Sequence, residues 1–323
     1  MHFTRLLFVF LAMLITGLPR LALAEFPDRP IKLIVPYTPG GPADLFGRFI
    51  AVKLGQIWGQ QVVVENRPGA GLSVGAELVA RAAPDGYTLL LGASSMFVDA
   101  GTGGRSPADN LKDFAPVSLV GSLPLVVVAS NSLPVANVKE LIDLARARPG
   151  QLNFGSSGIG SLTHMAGALF VQLTGAKLVH VPYRGINEAL VDLTAGRVQI
   201  AFAGAPIALP QVKAARMKAL AVTGAERSGQ APELPTVAES GLAGYDVTPW
   251  YGVMAPAGTP AAIVSRLHRE IAKVVQSAEV QDKWKSWGAD ANYSKTPEEF
   301  AGVMRAEAAK WDRVVKGGLV KLD

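Results

Sequence analysis

Apolar residues along the chain fall into short continuous runs that alternate with stretches of helical spacing. The run Ile31–Val35 is flanked by prolines and predicts a buried strand. After a loop, Leu45, Phe49 and Val52 recur at intervals of four and three residues, which predicts a helix. The same order of strand and helix continues along the chain. It predicts an α/β fold with parallel sheets and right-handed crossovers.

The remaining elements follow from the same patterns. Strands are predicted at Gln61–Glu65, Tyr87–Leu91, Asp113–Val120, Pro124–Ala129, Leu152–Gly155, Lys177–Val181, Val198–Ala203 and Ala219–Val222. Helices are predicted at Ser73–Ala83, Val138–Arg148, Leu162–Leu173, Ile186–Ala195, Thr259–Gln276 and Pro297–Lys316, with an irregular loop between Ser94 and Asn110. No flexible linker separates the two halves. We therefore expect two domains between which the chain crosses twice, at Pro124–Ala129 and Val247–Val253.

The first 24 residues have the pattern of a secretory signal. Met1–Arg5 is a short basic start, and Leu6–Leu18 is an apolar run of 13 residues. A membrane-spanning helix needs about 20 apolar residues, so this run favours an export signal over an anchor. Ala22–Ala24 has the small-x-small pattern that signal peptidase accepts. We expect cleavage after Ala24 and a periplasmic protein, with a retained anchor as the alternative.

Composition narrows the class of protein. The chain has 323 residues, 49% of them hydrophobic, which is typical of a folded protein of about two domains. It contains no cysteine, which excludes disulfides, thiolate metal sites and a cysteine nucleophile and suits an oxidising periplasm. Basic residues exceed acidic ones by five, or by three without Arg5 and Arg20. With no run of Lys or Arg, we expect no nucleic-acid partner.

Two glycine-bearing loops carry most of the candidate chemistry. Loop one is Tyr37–Asp44, between a predicted strand and a predicted helix. Loop two is Gly155–Ser161, which leads into the helix with the clearest apolar periodicity. Free N–H groups at a helix start can hold an anion without a basic side chain, and glycines allow close approach of a ligand. Each loop alone could equally be an ordinary connection.

Known catalytic motifs are missing from the sequence. It has no P-loop, no complete dinucleotide fingerprint and no nucleophile elbow, and no pair of side chains has metal-ligand spacing. We therefore expect no catalytic residue, metal or cofactor. His164 could contact a ligand or cap a loop carbonyl, whereas His180 is interpreted as structural and His268 as solvated. A serine hydrolase that uses Ser156 or Ser157 with His164 stays as an alternative from another class.

Long segments of the chain resemble one family. They are VPYTPGGPADLFGR (35–48), VENRPGAG (64–71), APDGYTLLLG (83–92), LKDFAPVSLVGSLP (111–124), KELIDLARARPGQLNFGSSGIGSLTHMAG (139–167), HVPYRG (180–185), LPTVAESGLAGYDV (234–247) and APAGTP (255–260). Together they resemble the Bug proteins, which are the extracytoplasmic substrate-binding components (TctC-like) of tripartite tricarboxylate transport systems, and they span essentially the whole mature chain in order.

The resemblance implies a type II-like periplasmic-binding-protein fold with two lobes, two crossing segments and a ligand cleft between the lobes. Lobe one would comprise residues 25–124 and 248–323, and lobe two residues 125–247. The implied ligand-binding residues are Tyr37, Thr38, Pro39, Gly40, Gly41, Asp44, Ser94, Ser95, Met96, Ser156, Ser157, Gly158, Gly160, Ser161, His164, Tyr183, Gly185, Gly204 and Ala205.

Two departures from the family pattern bear on the ligand. Gly204-Ala205-Pro206 is small and apolar where many relatives have an acidic or amide residue, so a ligand amine would find no partner. Asp99 stands near a position where relatives have Asn-Pro, and inside the cleft it would repel a second carboxylate. We therefore expect a monocarboxylate or an aromatic acid, bound by a monomer. An inner-membrane permease is the expected partner, and a membrane sensor protein is the alternative.

Overall fold

The computed structural model describes residues 26–69, 72–98 and 111–316. The predicted signal segment and Asp99 lie outside these ranges. Within them, the protein contains two five-stranded sheets, each covered by helices. We call the body around the first sheet lobe one and the body around the second sheet lobe two.

The strands are β1 (Ile31–Val35), β2 (Val62–Asn66), β3 (Thr88–Ala93), β4 (Phe114–Ser122), β5 (Leu125–Ala129), β6 (Leu152–Ser156), β7 (Leu178–Pro182), β8 (Ile200–Gly204), β9 (Lys218–Val222) and β10 (Trp250–Pro256). The helices are α1 (Pro42–Trp58), α2 (Ser73–Ala80), α3 (Val138–Ala147), α4 (Leu162–Thr174), α5 (Ile186–Thr194), α6 (Ala205–Lys213), α7 (Ala261–Gln276), α8 (Ala278–Ser286) and α9 (Pro297–Lys316). A short 3₁₀ helix covers Ser94–Phe97.

Both sheets are mixed rather than parallel. The strand order is β2-β1-β3-β10-β4 in lobe one and β7-β6-β8-β5-β9 in lobe two. β10 runs antiparallel to β3 and β4, and β5 runs antiparallel to β8 and β9. The expectation of parallel sheets is therefore wrong for these strands. They enter their sheets directly from the other lobe, without the helical crossover that parallel pairing requires.

The crossing segments are shorter than predicted. Leu125–Ala129 is an internal strand of lobe two, so the first crossing is confined to residues 123–124. The second ends where β10 begins at Trp250. The N–H of Leu123 donates to the carbonyl of Pro249 over 2.9 Å, so the two crossings lie side by side. A rotation of one lobe against the other would therefore act on both segments together.

Two helices were not predicted from the sequence. α6 begins directly after β8, with Pro206 in its first turn and Pro210 inside it, and the two prolines obscured its helical pattern. α8 follows α7 after Ser277, whose hydroxyl caps it by accepting from the N–H of Val280. Both helices matter for the site, because the first turn of α6 and the end of α8 face each other.

The C-terminal helix α9 packs across both lobes. Phe300 packs edge-on against Trp250 of β10, with ring centroids 5.2 Å apart. Further along, Lys310 donates to the carbonyl of Asp246 over 3.0 Å, in the segment that leads out of lobe two. Trp311 is fully buried in an apolar cluster that includes residues of both sheets. The two lobes are thus joined by this helix as well as by the crossings.

Candidate functional site

Loop one is held by an internal network centred on Asp44. The Asp44 carboxylate is only 3% exposed and accepts hydrogen bonds from the Gly40 N–H (2.9 Å), Arg48 Nε (3.0 Å) and Asn66 Nδ2 (2.9 Å). Burial alone would raise the pKa of this carboxyl, but the three hydrogen bonds bring the pKa below its ordinary value. Asp44, which the resemblance implies as a ligand contact, is therefore engaged in shaping the loop. Thr38 and Pro39 are exposed at its tip.

A cluster of hydroxyl groups lies beside loop one. The Tyr37 hydroxyl is 2.7 Å from Ser95 Oγ, and burial raises the pKa of Tyr37 to about 12 despite this hydrogen bond. Tyr251 of β10 lies near Tyr37, and burial together with that neighbour raises its pKa above the ordinary range. Of the two other predicted residues here, Ser94 is buried and Met96 lies in the core. A methyl group at Gly92 would be 2.7 Å from Met96 Sδ, so this side chain serves packing.

Loop two is organised by its own hydroxyls. Thr163 Oγ1 accepts from the Ser157 N–H and lies 2.9 Å from Ser157 Oγ and 3.0 Å from Ser161 Oγ. Ser161 caps α4 by accepting from the His164 N–H over 3.2 Å, and its hydroxyl donates to the Gly158 carbonyl. Gly158 and Gly160 have φ values of +112° and +75°, which side chains rarely adopt. The loop therefore needs these glycines to hold its shape.

Two stacked histidines contact loop two and support it. The rings of His164 and His180 are 3.8 Å apart at an angle of 9°. His164 Nδ1 accepts from the Gly160 N–H over 3.1 Å, and His180 Nε2 lies 2.6 Å from Ser156 Oγ. Burial and the neighbouring His164 lower the pKa of His180 to about 4, and burial also lowers the pKa of His164. Both imidazoles are therefore neutral at pH 7.

One of the histidine interpretations needs a correction. His180 is interpreted as structural, and its imidazole makes a contact within the protein, to Ser156 of loop two. The pairing of β6 with β7 places it there, and this pairing cannot be read from one strand alone. His268 was interpreted as solvated, but it is half-buried and its Nε2 lies 2.9 Å from the Ser294 carbonyl oxygen.

The serine–histidine pair expected of a hydrolase is not formed in the described residues. His164 Nδ1 is engaged by the Gly160 N–H, and the Ser157 hydroxyl bonds to Thr163. The serine–histidine contact that does exist joins Ser156 to His180, and Ser156 is completely buried. A nucleophile has to be within reach of its substrate, so this geometry disfavours attack by either serine.

The remaining predicted residues begin or flank helices. The Tyr183 N–H donates to the Ser156 carbonyl, and the Tyr183 hydroxyl donates to Asp192 over 2.7 Å. Burial raises the pKa of Tyr183 to about 12. Gly185 precedes α5, and Gly204 precedes α6. Ala205 is buried in the first turn of α6.

An apolar cleft of about 470 Å³ lies between the lobes. Its lining comes from both sheets and both crossings: Gly40, Pro42, Leu45, Phe46, Leu123, Leu125, Leu162, Thr163, Gly204, Pro206, Ile207, Pro249, Tyr251 and Trp287. None of these lining side chains carries a charge. The Tyr251 hydroxyl makes no hydrogen bond to another described residue.

Three helices begin at this cleft. Gly40 and Pro42 lie at the start of α1, Leu162 and Thr163 at the start of α4, and Gly204 at the start of α6. No side chain caps α1 or α6. Partial positive charge collects at helix N-termini, so all three favour an anion in the cleft.

Sequence reasoning missed most of the apolar lining. It did not single out Trp287, Ile207 or Tyr251, because the first two follow or lie in the unpredicted helices and the third was assigned to a crossing segment. Of the residues predicted to bind a ligand, Gly40 and Gly204 lie in the lining of the cleft.

A second cavity of about 570 Å³ lies behind the crossings, and we call it the back cavity. It is lined by Ser122, Pro124 and Thr248, whereas Leu123, Leu125 and Pro249 line the cleft. Side chains alternate between the two faces of an extended segment, so the two cavities lie on opposite faces of the crossings. In contrast to the cleft, the back cavity has charged lining residues, namely Glu226, Arg227, Asp282, Lys285 and Asp290.

The described ranges contain neither a candidate metal site nor a candidate membrane span. No group of three or more His, Asp or Glu side chains there could hold a metal ion. No helix within these ranges is long and apolar enough to cross a membrane.

The two-lobed fold and the cleft between the lobes define the class of a solute-binding protein. Comparison with known proteins gives the family. The model of the tripartite tricarboxylate transporter family receptor matches residues 46–318. The protein BugT of Bordetella pertussis is 38% identical over 299 residues, which cover 92% of this chain and 91% of BugT. The chain therefore belongs to the tripartite tricarboxylate transporter receptor family. Its similarity to BugT confirms the resemblance to the Bug proteins.

Solved structures agree with this assignment. R. palustris Rpa4515 with adipate is 36% identical with a TM-score of 0.72, over 90% of this chain and 98% of that one. MatC (Rpa3494) from Rhodopseudomonas palustris with bound malate is 30% identical with a TM-score of 0.69, over 90% of this chain and 100% of that one. Both bound molecules are small carboxylates.

Proposed function

We propose that this protein is a periplasmic solute-binding protein that captures a small monocarboxylate in the cleft and delivers it to a membrane permease. The observation that carries the proposal is the convergence of three helix N-termini on an uncharged cleft. Main-chain N–H groups and helix dipoles would neutralise one carboxylate there without a basic side chain. The carboxylates bound by the two solved relatives support the same chemistry.

The lining of the cleft supports an acid with one carboxylate and an apolar or aromatic body. Adipate and malate each have two carboxylates, but here the lining offers no cation for a second one. Phe46, Tyr251 and Trp287 offer ring faces and edges to an aromatic body, and Ile207 and Leu162 offer aliphatic surface. The free Tyr251 hydroxyl could donate to a single polar group on the ligand.

Capture is expected to proceed by rotation of the lobes about the crossings. We assign residues 25–124 and 248–323 to lobe one and residues 125–247 to lobe two, because the chain changes sheets at these points. A ligand that touches both lobes binds the closed arrangement more tightly and shifts the population towards it. A permease could then recognise the rims of both lobes. The expected export signal and the family support a periplasmic location.

Binding without chemistry accounts for the serine geometry. Ser156 and Ser157 are engaged within loop two, and His164 is held by the Gly160 N–H. These groups hold the loop in shape, which is what an anion-binding loop requires.

The test is a thermal-shift panel on protein that has been unfolded and refolded to remove bound ligand. The acids are benzoate, hexanoate, adipate and malate, with benzamide as a neutral analogue. A ligand at about 100 times its dissociation constant stabilises a protein by roughly 2.7 kcal/mol, which raises its melting temperature by a few degrees. We expect a shift with benzoate or hexanoate, and none with benzamide. A folded protein that responds to no acid would contradict the proposal.

A matched pair of variants tests the electrostatic argument. Gly204 has room for a side chain, since a methyl group there would meet nothing nearer than Pro206 Cδ at 3.8 Å. Asp and Asn are both good residues to precede a helix. Gly204→Asp should abolish acid binding because it adds a carboxylate to the cleft, whereas Gly204→Asn should retain it. Equal binding by the two variants would mean that the acid binds elsewhere.

A further inference from the structure

Pro206 of lobe two rests on the backbone of Gly288 of lobe one. A methyl group built on Gly288 would lie 2.7 Å from Pro206 Cγ and 3.3 Å from Pro206 Cα. Side-chain contacts under 3.0 Å essentially do not occur, so only glycine fits at position 288 without movement. Its φ of +71° also favours glycine.

Both sides of this contact are rigidly supported. Trp287, which precedes Gly288, stacks on Trp284, and the Trp284 indole is buried and donates to the Val120 carbonyl over 2.8 Å. On the other side, the Ala205 N–H donates to the carbonyl of Pro124 over 2.9 Å, and the ring of Pro206 has little freedom. Neither surface can yield easily, so the contact resists any closer approach of the two lobes.

The contact also borders the cleft. Pro206 lines the cleft from lobe two, and Trp287 lines it from lobe one. The distance between these two walls therefore depends on how closely Pro206 can approach Gly288.

We propose that Pro206 and Gly288 form a stop that fixes the narrowest width of the cleft, and with it the size of the acid that the closed protein accepts. The part concerning ligand size rests on the proposed function, whereas the stop itself does not. Pro206 and Gly288 would then be specificity-determining residues that need make no contact with the carboxylate.

The spacing of the lobes can be measured without knowing the ligand. The chain has no cysteine, so Val52→Cys and Val191→Cys provide unique spin-label sites. Val52 in lobe one and Val191 in lobe two are 59% and 64% exposed. In this labelled background and without ligand, Gly288→Ala should lengthen the mean distance between the labels, and Pro206→Ala should shorten it.

Gly59→Ala is the matched control. Gly59 also ends a lobe one helix, with a φ of +64°, but nothing lies within 4 Å of a methyl group there. Both alanine variants therefore bear the same backbone cost, and only Gly288→Ala meets the other lobe. A label distance in Gly288→Ala equal to that in Gly59→Ala would overturn the proposal. If Gly288→Ala does not fold, Pro206→Ala takes its place in the test. A label distance in Pro206→Ala equal to that of the labelled parent would then overturn the proposal.

Acid size gives the second measurement, with benzoate and biphenyl-4-carboxylate as probes. If Gly288→Ala lowers the population of the narrow state to about one tenth, the dissociation constant of benzoate rises about tenfold. The affinity for the longer biphenyl acid should fall by less than this, or should rise. An unchanged preference between the two acids would overturn the role in specificity. If the wild-type protein binds neither acid, the proposed function fails, while the label distances still decide whether the stop exists.

Discussion

The imidazoles of His164 and His180 couple protonation to the shape of loop two. His164 Nδ1 accepts the Gly160 N–H, and a proton on this nitrogen would remove the acceptor. The stacked rings also lie too close for both to carry a charge without mutual repulsion. Loop two therefore depends on the neutral forms of both histidines.

Stability should consequently decline in mild acid. The ordinary pKa of histidine is about 6.5, and the pKa of His180 in the folded protein is about 4. Between these values the unfolded chain binds a proton that the folded protein does not, so the free energy of unfolding falls as the pH falls. The contribution of neutral His180 is fully present above pH about 6.5. Urea denaturation between pH 7 and pH 4 measures this slope.

Two variants isolate the effect. His180→Gln keeps a hydrogen-bonding group near Ser156 but cannot be protonated, so its stability should vary less with pH over this window. Val52→Ala changes an exposed side chain of α1 in the other lobe and should keep the wild-type slope. Equal slopes for wild type and His180→Gln would show that the stacked pair does not titrate as described.

The sequence indicated the backbone conformation of single residues better than the direction in which their side chains point. Gly158 and Gly160 have the positive φ values that glycine allows, whereas Ser161 caps α4, a role that was not predicted for it. Asp44 was placed in the correct loop, but its carboxylate is turned inward to Arg48 and Asn66. The side-chain direction depends on Asn66 at the end of β2, and a single sequence does not show that these residues meet.

Among the elements, α9 has a role that its own sequence does not reveal. Its periodicity predicted a surface helix, and its bounds are as predicted. The helix is nevertheless deeply packed at Phe300, whose ring fills the space above Gly252, where a methyl group would lie 2.3 Å from it. This contact fixes α9 to β10, the internal strand of lobe one that follows the second crossing.

We expect Phe300→Ala to lower the free energy of unfolding by about 3–5 kcal/mol, as is usual for removal of a buried aromatic side chain. The exposed Glu298→Ala change on the same helix should stay within about 0.5 kcal/mol of wild type. Urea denaturation of both variants at pH 7 makes the comparison. A small loss for Phe300→Ala would mean that this contact contributes little to anchoring α9 on lobe one.

Elements with clear boundaries in the sequence were predicted accurately. β1 is observed as predicted, and α4 begins after Ser161 and ends at Gly175 with φ +65°. β10 was missed because its strand character depends on pairing with β3 and β4, which come from distant parts of the chain. α8 was missed because it is short and polar, so only Trp284 and Val280 are buried.

For the whole molecule, the sequence predicted two lobes and a cleft but not the nature of the cleft walls. The lobes follow from the strand–helix order and from the family resemblance, which the comparisons support. The apolar walls arise where α1, α6 and the segment after α8 meet across the lobes. That meeting depends on the angle between the two sheets, and no local pattern specifies it.

Ligand binding should make the whole molecule more compact. If the lobes close on an acid, small-angle scattering should give a smaller radius of gyration at saturation than without ligand. An acid from the same panel that gives no thermal shift serves as the control and should leave the radius unchanged. A radius that stays the same with a bound acid would argue against closure and for a cleft that is already in its final form.

Side chains of residues 122–125 and 248–249 point alternately into the cleft and into the back cavity. Because the cleft and the back cavity flank the same crossings, a rotation that narrows one must widen the other. The charged rim formed by Glu226, Arg227 and Lys285 would then spread as the cleft fills. Ligand binding in the cleft would thus change the spacing of charged groups on the opposite side of the crossings, where a partner protein could detect it.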